Sequence, residues 1–207
     1  MANGPCPASN GMKLDIPFYS QHTLDVPEEW RRRACGVLTL RMALAYLLAH
    51  KGRPVPSTEQ LIHEAEAIHG WTEDGIDHEA LIRLAHNYGI PAYREEFRSV
   101  SVDPEHNSFE PSEYSTEMLE YGIGRIYEAV KNGQVVLASV PRTLTEGGTP
   151  HAVVIVGFEE GETPGFYYHD PDYDTADEGA FRFIDVESFK ALWRRFMRVI
   201  GPVASIV

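Results

Sequence analysis

Apolar residues first recur at helical spacing just after Cys35. Leu38, Met42, Ala45 and Leu48 line one face, and Leu40, Leu44 and Leu47 cover a second. The pattern predicts a helix from Cys35 to about His50, buried on most sides and ended by Gly52-Arg53-Pro54. Ser57 starts a second helix, with Gln60 three residues on completing a capping box and Leu61, Ile62, Ala65 and Ile68 inward. A third starts near Asp77 and ends at Gly89, with Leu81, Ile82, Leu84 and Ala85 as its core stripe. Residues 124–131, closed by Asn132-Gly133, predict a fourth, and residues 187–194 a short one near the end.

The second half reads as strands. Residues 134–140 and 151–159 are near-continuous apolar runs, and 166–169, 181–184 and 196–200 follow. Residues 90–94 return as a strand after the third helix, and residues 14–20 read as a short strand with Pro17 at an edge position. Residues 28–33 form a charged turn, and 99–116, rich in Ser, Pro, Glu and Asp, a long surface loop. Helices first and an antiparallel sheet second predict an α+β fold. Residues 1–12 are expected to be a flexible lead-in and 13–207 a single domain; no internal repeat is visible.

Composition narrows the function classes. Hydrophobic residues make up 43% of the 207 positions, enough for a substantial core. A net charge of −13 argues against nucleic acid as a partner, because phosphate backbones need an excess of Lys and Arg. The longest apolar run, residues 37–49, is interrupted by Thr39 and Arg41, so membrane insertion is not expected. No apolar signal segment stands among the first twelve residues, which points to a cytoplasmic protein. The two cysteines, Cys6 and Cys35, form no CxxC pair, which rules out a cysteine zinc site. A Cys6–Cys35 disulfide stays open for an oxidising compartment.

Candidate chemistry sits on three residues in chain order. Cys35 opens a helix, where free N–H groups and the helix dipole favour a thiolate. His151 opens a strand and can take and return a proton. Asp170, before Pro171, can fix that imidazole's tautomer. A lone cysteine at a helix start is ordinarily a small core residue, and Asp before Pro an ordinary turn. Cys, His and Asp together, on a helix and then on strands, read as a thiol nucleophile. Gly36 lets another backbone approach the thiol, and His169 is a rival imidazole that strand alternation puts opposite Asp170. Residues 142–150 form a long, flexible connection whose Gly148 and Thr149 are expected to border substrate, with Gly36, and to gate the cleft. The acidic run 170–178 lacks the Gly and Glu of an EF-hand loop and reads as a solvated hairpin, with no metal.

Four strings then carry a family resemblance. They are Leu14-Asp15-Ile16-Pro17-Phe18-Tyr19-Ser20-Gln21; Cys35-Gly36 on an Ala/Leu-rich helix; His151-Ala152-Val153-Val154-Ile155-Val156-Gly157-Phe158; and Asp170-Pro171. Over residues 13–200 the chain resembles the C39-like peptidases, bacterial papain-fold cysteine peptidases related to the leader-cleaving domains of bacteriocin exporters. Ala34 and Ala152 stand where that family often has a polar residue and an aromatic. The resemblance implies a papain-like fold, Cys35, His151 and Asp170 as catalytic residues, and Gln21 as an oxyanion donor. It implies a peptide or protein substrate and no cofactor. An acyl-transferase or amidase using the same residues, and a silent peptide-binding module, remain alternatives; the oligomeric state is left open.

Overall fold

The computed structural model describes residues 11–23, 26–103 and 108–202. The lead-in expected for residues 1–12 lies outside these as far as residue 10, as does Cys6; Cys35 is a free thiol. The first elements are strand β1 (Met12–Lys13), the short helix α1 (Glu28–Arg31) and the long helix α2 (Cys35–Ala49). Next come α3 (Thr58–Ala67), a small hairpin of β2 (Trp71–Thr72) and β3 (Gly75–Ile76), and α4 (His78–Asn87). Strands β4 (Ala92–Glu96), β5 (Val100–Asp103) and β6 (Ser108–Pro111) precede α5 (Ser115–Lys131). The second half runs β7 (Val135–Pro141), β8 (Pro150–Glu159), β9 (Gly165–His169), α6 (Ala176–Gly179), β10 (Arg182–Asp185), α7 (Val186–Leu192) and β11 (Phe196–Ile200).

The fold is α+β. One antiparallel sheet has the order β10-β9-β8-β7-β11-β4, with β1 added on β8. Helices α2 and α5 both pack on β7 and β8. That double cover explains why successive residues of β7 are all buried and why the two strands read as continuous apolar runs rather than alternating ones. Helix α2 buries ten of its fifteen residues, and Arg41 on its polar side lies over the Tyr19 ring and donates to Pro56 O and Thr58 Oγ1.

Several local expectations are corrected. Residues 14–20 form no strand: beyond β1, Leu14 N–H donates to Val156 O and the chain then leaves the sheet, with Pro17 unable to donate. The charged turn at 28–33 contains a helical turn, α1. Half of the expected capping box exists: Ser57 Oγ accepts from Gln60 N–H, but the Gln60 amide turns to Glu64 and Tyr88. The surface loop 99–116 holds the β5–β6 hairpin, whose pairing is between backbones and so invisible to composition. Helix α5 begins nine residues before the expected start. Gly122 lowers intrinsic helix propensity there, but a Cβ on it would meet Trp193 at 2.6 Å, so tertiary packing holds the early turns.

Candidate active site

Helix α2 starts without a side-chain cap: Ala34 precedes Cys35 and offers no acceptor to the first N–H groups. Among the described residues no side chain caps those donors, which suits them to face a negative charge. Cys35, the first residue of the helix, is half-buried. Gly36 is buried, and the space a Cβ would need is filled by Ile76 Cγ2 at 2.6 Å. A side chain, not a backbone, makes the close approach expected there.

His151 is the second residue of β8 and pairs with Val140 of β7. Its Nε2 lies 2.7 Å from Asp170 Oδ1, and both residues are almost fully buried. A carboxylate only accepts, so Nε2 carries the proton and Nδ1 is left for the thiol. Nδ1 is buried and has no partner at bonding geometry among the described residues. Asp170 Oδ1 also accepts Asp172 N–H at 3.0 Å, and Asp170 N–H donates to Gly179 O at 2.9 Å.

The charges are coupled. Burial disfavours the Cys35 thiolate and is the largest single influence. The nearby His151 ring and its charge, the Ala152 N–H and the Arg142 charge together outweigh it, and the thiol pKa is lowered. Burial likewise disfavours imidazolium, but Asp170 and Cys35 push His151 up to about 9. Burial opposes ionisation of Asp170 too, and the bond and charge of His151 hold its carboxyl below the usual carboxylate range. A helix start alone supplies about 0.3–1 kcal/mol, at most ~2; the influences that lower the Cys35 pKa come first from His151, which Asp170 in turn holds as a cation.

His169 is no rival. It is fully buried, its Nε2 meets Ile16 O at 2.8 Å and its Nδ1 accepts Phe181 N–H at 3.0 Å, so both nitrogens are spent on structure. Burial lowers its pKa and keeps it neutral.

Gln21 opens a turn instead of closing a strand, and it is fully buried. Its N–H donates to Pro171 O at 2.9 Å and its Nε2 to Asp172 Oδ1 at 2.6 Å; its Oε1 has no partner among the described residues. The turn after β9 therefore brings Gln21 beside the Asp170 segment across most of the chain length.

Three further residues near the site have roles that the sequence does not assign, Asp172 lying in the acidic run and Arg142 at the edge of the 142–150 connection. Asp172 Oδ1 accepts from Gln21, from Arg142 Nη1 at 2.7 Å and from His22 Nε2 at 3.3 Å. Arg142 also donates to Arg32 O at 3.1 Å, on the turn before Cys35. Arg198 of β11 is buried to 2% exposure, with Nη2 3.1 Å from His78 Nε2, Nε unpartnered and no carboxylate paired with it among the described residues. The acidic run is solvated only in part: Asp170 is buried and Asp172 half-buried, while Asp174, Asp177 and Glu178 are exposed and Ala176–Gly179 is helical. Among the described residues no cluster of His, Cys, Asp and Glu could hold a metal ion.

The connection at 142–150 is not a loose one. Arg142 N–H donates to Thr149 O at 2.8 Å and Gly148 N–H to Thr145 O at 3.1 Å, and a Cβ on Gly148 would sit 2.7 Å from Arg142 O. Thr143 and Leu144 hold φ of 60° and 49°, a region that favours glycine. Thr149 and Pro150 edge a cavity of about 1090 Å³ that continues past Ser139, Phe196, His78 and Arg194. Among the described residues no helix is long and apolar enough to cross a membrane.

Comparison with known proteins adds the lineage. Residues 13–200 match the family described as "Peptidase_C39 like family". A solved structure described as a candidate C39-like peptidase from Bacillus anthracis superposes with a TM-score of 0.59 at 20% identity, covering 93% of this chain and 98% of that one. A double glycine motif protease from an AMS/PCAT transporter, in complex with the leader peptide, gives 0.50 at 20% identity over 92% and 94%. UfSP from C. elegans gives 0.60 at 11% identity over 95% of this chain and 35% of that one. Among curated proteins nothing matches the sequence.

Proposed function

The chain belongs to the Peptidase_C39-like family, and from that premise we propose that it is a cysteine peptidase acting through Cys35, His151, Asp170 and Gln21. The observation that carries this reading is the half-buried Cys35 at an uncapped helix start, coupled to a His151 that Asp170 holds at 2.7 Å.

The Cys35 thiolate attacks a peptide carbonyl carbon. A C–S bond forms, and the carbonyl electron pair moves onto oxygen. The Cys35 backbone N–H and the second Gln21 amide hydrogen stabilise that oxyanion. The intermediate collapses, the C–N bond breaks, and imidazolium of His151 gives its Nδ1 proton to the leaving amine. Neutral His151 then takes a proton from water, whose oxygen displaces the thioester sulfur. The acid product leaves, and the thiolate and imidazolium are restored. Asp170 keeps the ring oriented throughout. No cofactor enters.

The substrate class carried over is a peptide, in keeping with the leader peptide bound to one structural neighbour. Thr149 lines the cavity beside the His151 strand, which supports an extended segment passing there. The experiment is a peptide-library digest followed by mass spectrometry, with iodoacetamide trapping of Cys35 in parallel. Discrete cleavage lost in Cys35→Ala and blocked by trapping supports the reading. Peptides joined to an added amine without hydrolysis would make it an acyl-transferase. Unmodified peptides with an alkylatable Cys35 would leave a binding module.

A further inference from the structure

Asp172 is where three side chains from two separate stretches of the chain meet. Gln21 Nε2 at 2.6 Å, Arg142 Nη1 at 2.7 Å and His22 Nε2 at 3.3 Å all reach one oxygen, Oδ1. From behind, Asp172 N–H donates to Asp170 Oδ1 at 3.0 Å, the same atom that holds His151. The carboxylate is therefore tied into the triad's own acceptor.

The consequence concerns a choice every primary amide faces. Gln21 can present either its NH₂ or its carbonyl oxygen to a given direction, and the two ends have almost the same shape. A carboxylate accepts and never donates, so beside Asp172 only the NH₂ end is tolerated. One of its hydrogens is consumed at 2.6 Å; the other remains. The reverse orientation would set two lone-pair oxygens against each other and would turn the amide carbonyl toward developing negative charge. Oε1, buried and without a partner among the described residues, shows that the chosen orientation is not driven by a bond to the oxygen end. Arg142 balances the carboxylate's charge, and its second bond, to Arg32 O, fixes the arrangement to the turn before Cys35.

We propose that Asp172 is a positioning residue that locks the Gln21 amide with its N–H toward the reacting carbonyl. The proposal rests on the reading of Gln21 as an oxyanion donor. It places a second carboxylate-borne function on the 170–172 turn: Asp170 orients the base, and Asp172 orients the oxyanion donor.

The test is a double-mutant cycle on a cleaved peptide. Asp172→Asn keeps the size but lets either amide end face Gln21. It should lower kcat by roughly 10–100-fold, the scale seen when outer-shell partners of a reacting group are removed, with a much smaller change in KM. Alkylation of Cys35 by iodoacetamide should keep its pH midpoint or move it slightly down, since Arg142 without its counter-charge favours the thiolate more. On a Gln21→Ala background, Asp172→Asn should cost at most about twofold more, since there is no amide left to orient. Wild-type kcat in Asp172→Asn, or a full additional loss in the double mutant, would overturn the proposal. Wild-type kcat in Gln21→Ala would instead overturn the role of Gln21 itself. Should Asp172→Asn not fold, [15N]glutamine labelling of the wild type decides. The chain has three glutamines, Gln21, Gln60 and Gln134. Gln21 must then show one strongly downfield, slowly exchanging amide hydrogen; two equivalent, fast-exchanging hydrogens would refute the lock.

Discussion

His151 Nε2 and Asp170 Oδ1 lie 2.7 Å apart, and both side chains are sealed from solvent. A bond of that length to a buried carboxylate fixes the tautomer and the ring plane together. It leaves Nδ1 as the only ring atom that can exchange a proton with Cys35.

Asp170→Asn keeps the size of the side chain and removes its charge. The amide no longer demands an Nε2 proton, and His151 loses its main support as a cation. kcat should fall by roughly 10²–10⁴-fold. The His151 midpoint, followed by NMR of the ring protons, should drop well below about 9. An unchanged midpoint would mean that the cation is held by something else.

The pH dependence follows from the two shifts. Thiolate is present above the lowered Cys35 pKa, and imidazolium is present below about 9. Turnover should therefore be bell-shaped, rising through the first and falling through the second. For stability, a raised His151 pKa is a contribution fully present below its ordinary value of ~6.5 and lost as pH climbs through about 9. Thermal scans from pH 6 to 10 should show that loss, and Cys35→Ala should shrink it. A melting temperature flat across that window in the wild type would contradict the coupling.

Gly148 and Gly147 should separate steric from conformational needs. A Cβ at 148 would meet Arg142 O at 2.7 Å, so Gly148→Ala should cost about 1–3 kcal/mol and displace Arg142, lowering kcat. Gly147 has φ of +79° and open space around it. Gly147→Ala should cost about 1 kcal/mol with activity retained. Chemical denaturation paired with rate measurements distinguishes them; equal activity losses would show that loop shape, not Arg142, is the sensitive part.

Arg198 offers a sharper contrast. A buried guanidinium without a carboxylate is costly, so Arg198→Met, with similar reach and no charge, should leave the melting temperature unchanged or raise it. The Cys35 charge favours the Arg198 cation, and by reciprocity the cation favours the thiolate. The alkylation midpoint of Cys35 should then move up in Arg198→Met. A lower melting temperature with an unmoved midpoint would make Arg198 a purely structural residue.

What the chain alone determined is local. Helix α2 runs between a cysteine and a Gly/Pro stop, and β8 and β11 stand where apolar runs are cut by turn residues, because periodicity and breakers act over a few residues. Cys35, His151 and Asp170 were readable for the same reason: each sits at an element end marked by its neighbours. Tertiary structure decided the rest. Residues 14–20 look like a strand but find no partner beyond Val156, and the first turns of α5 look unfavourable but are held by Gly122 against Trp193. The meeting of Gln21, Asp172 and Arg142 joins positions 151 and 30 residues apart. No propensity or spacing encodes such a contact, because it depends on sheet register and on where α2 lands on β7 and β8. Those are set by the packing of the whole core and by no segment of it alone.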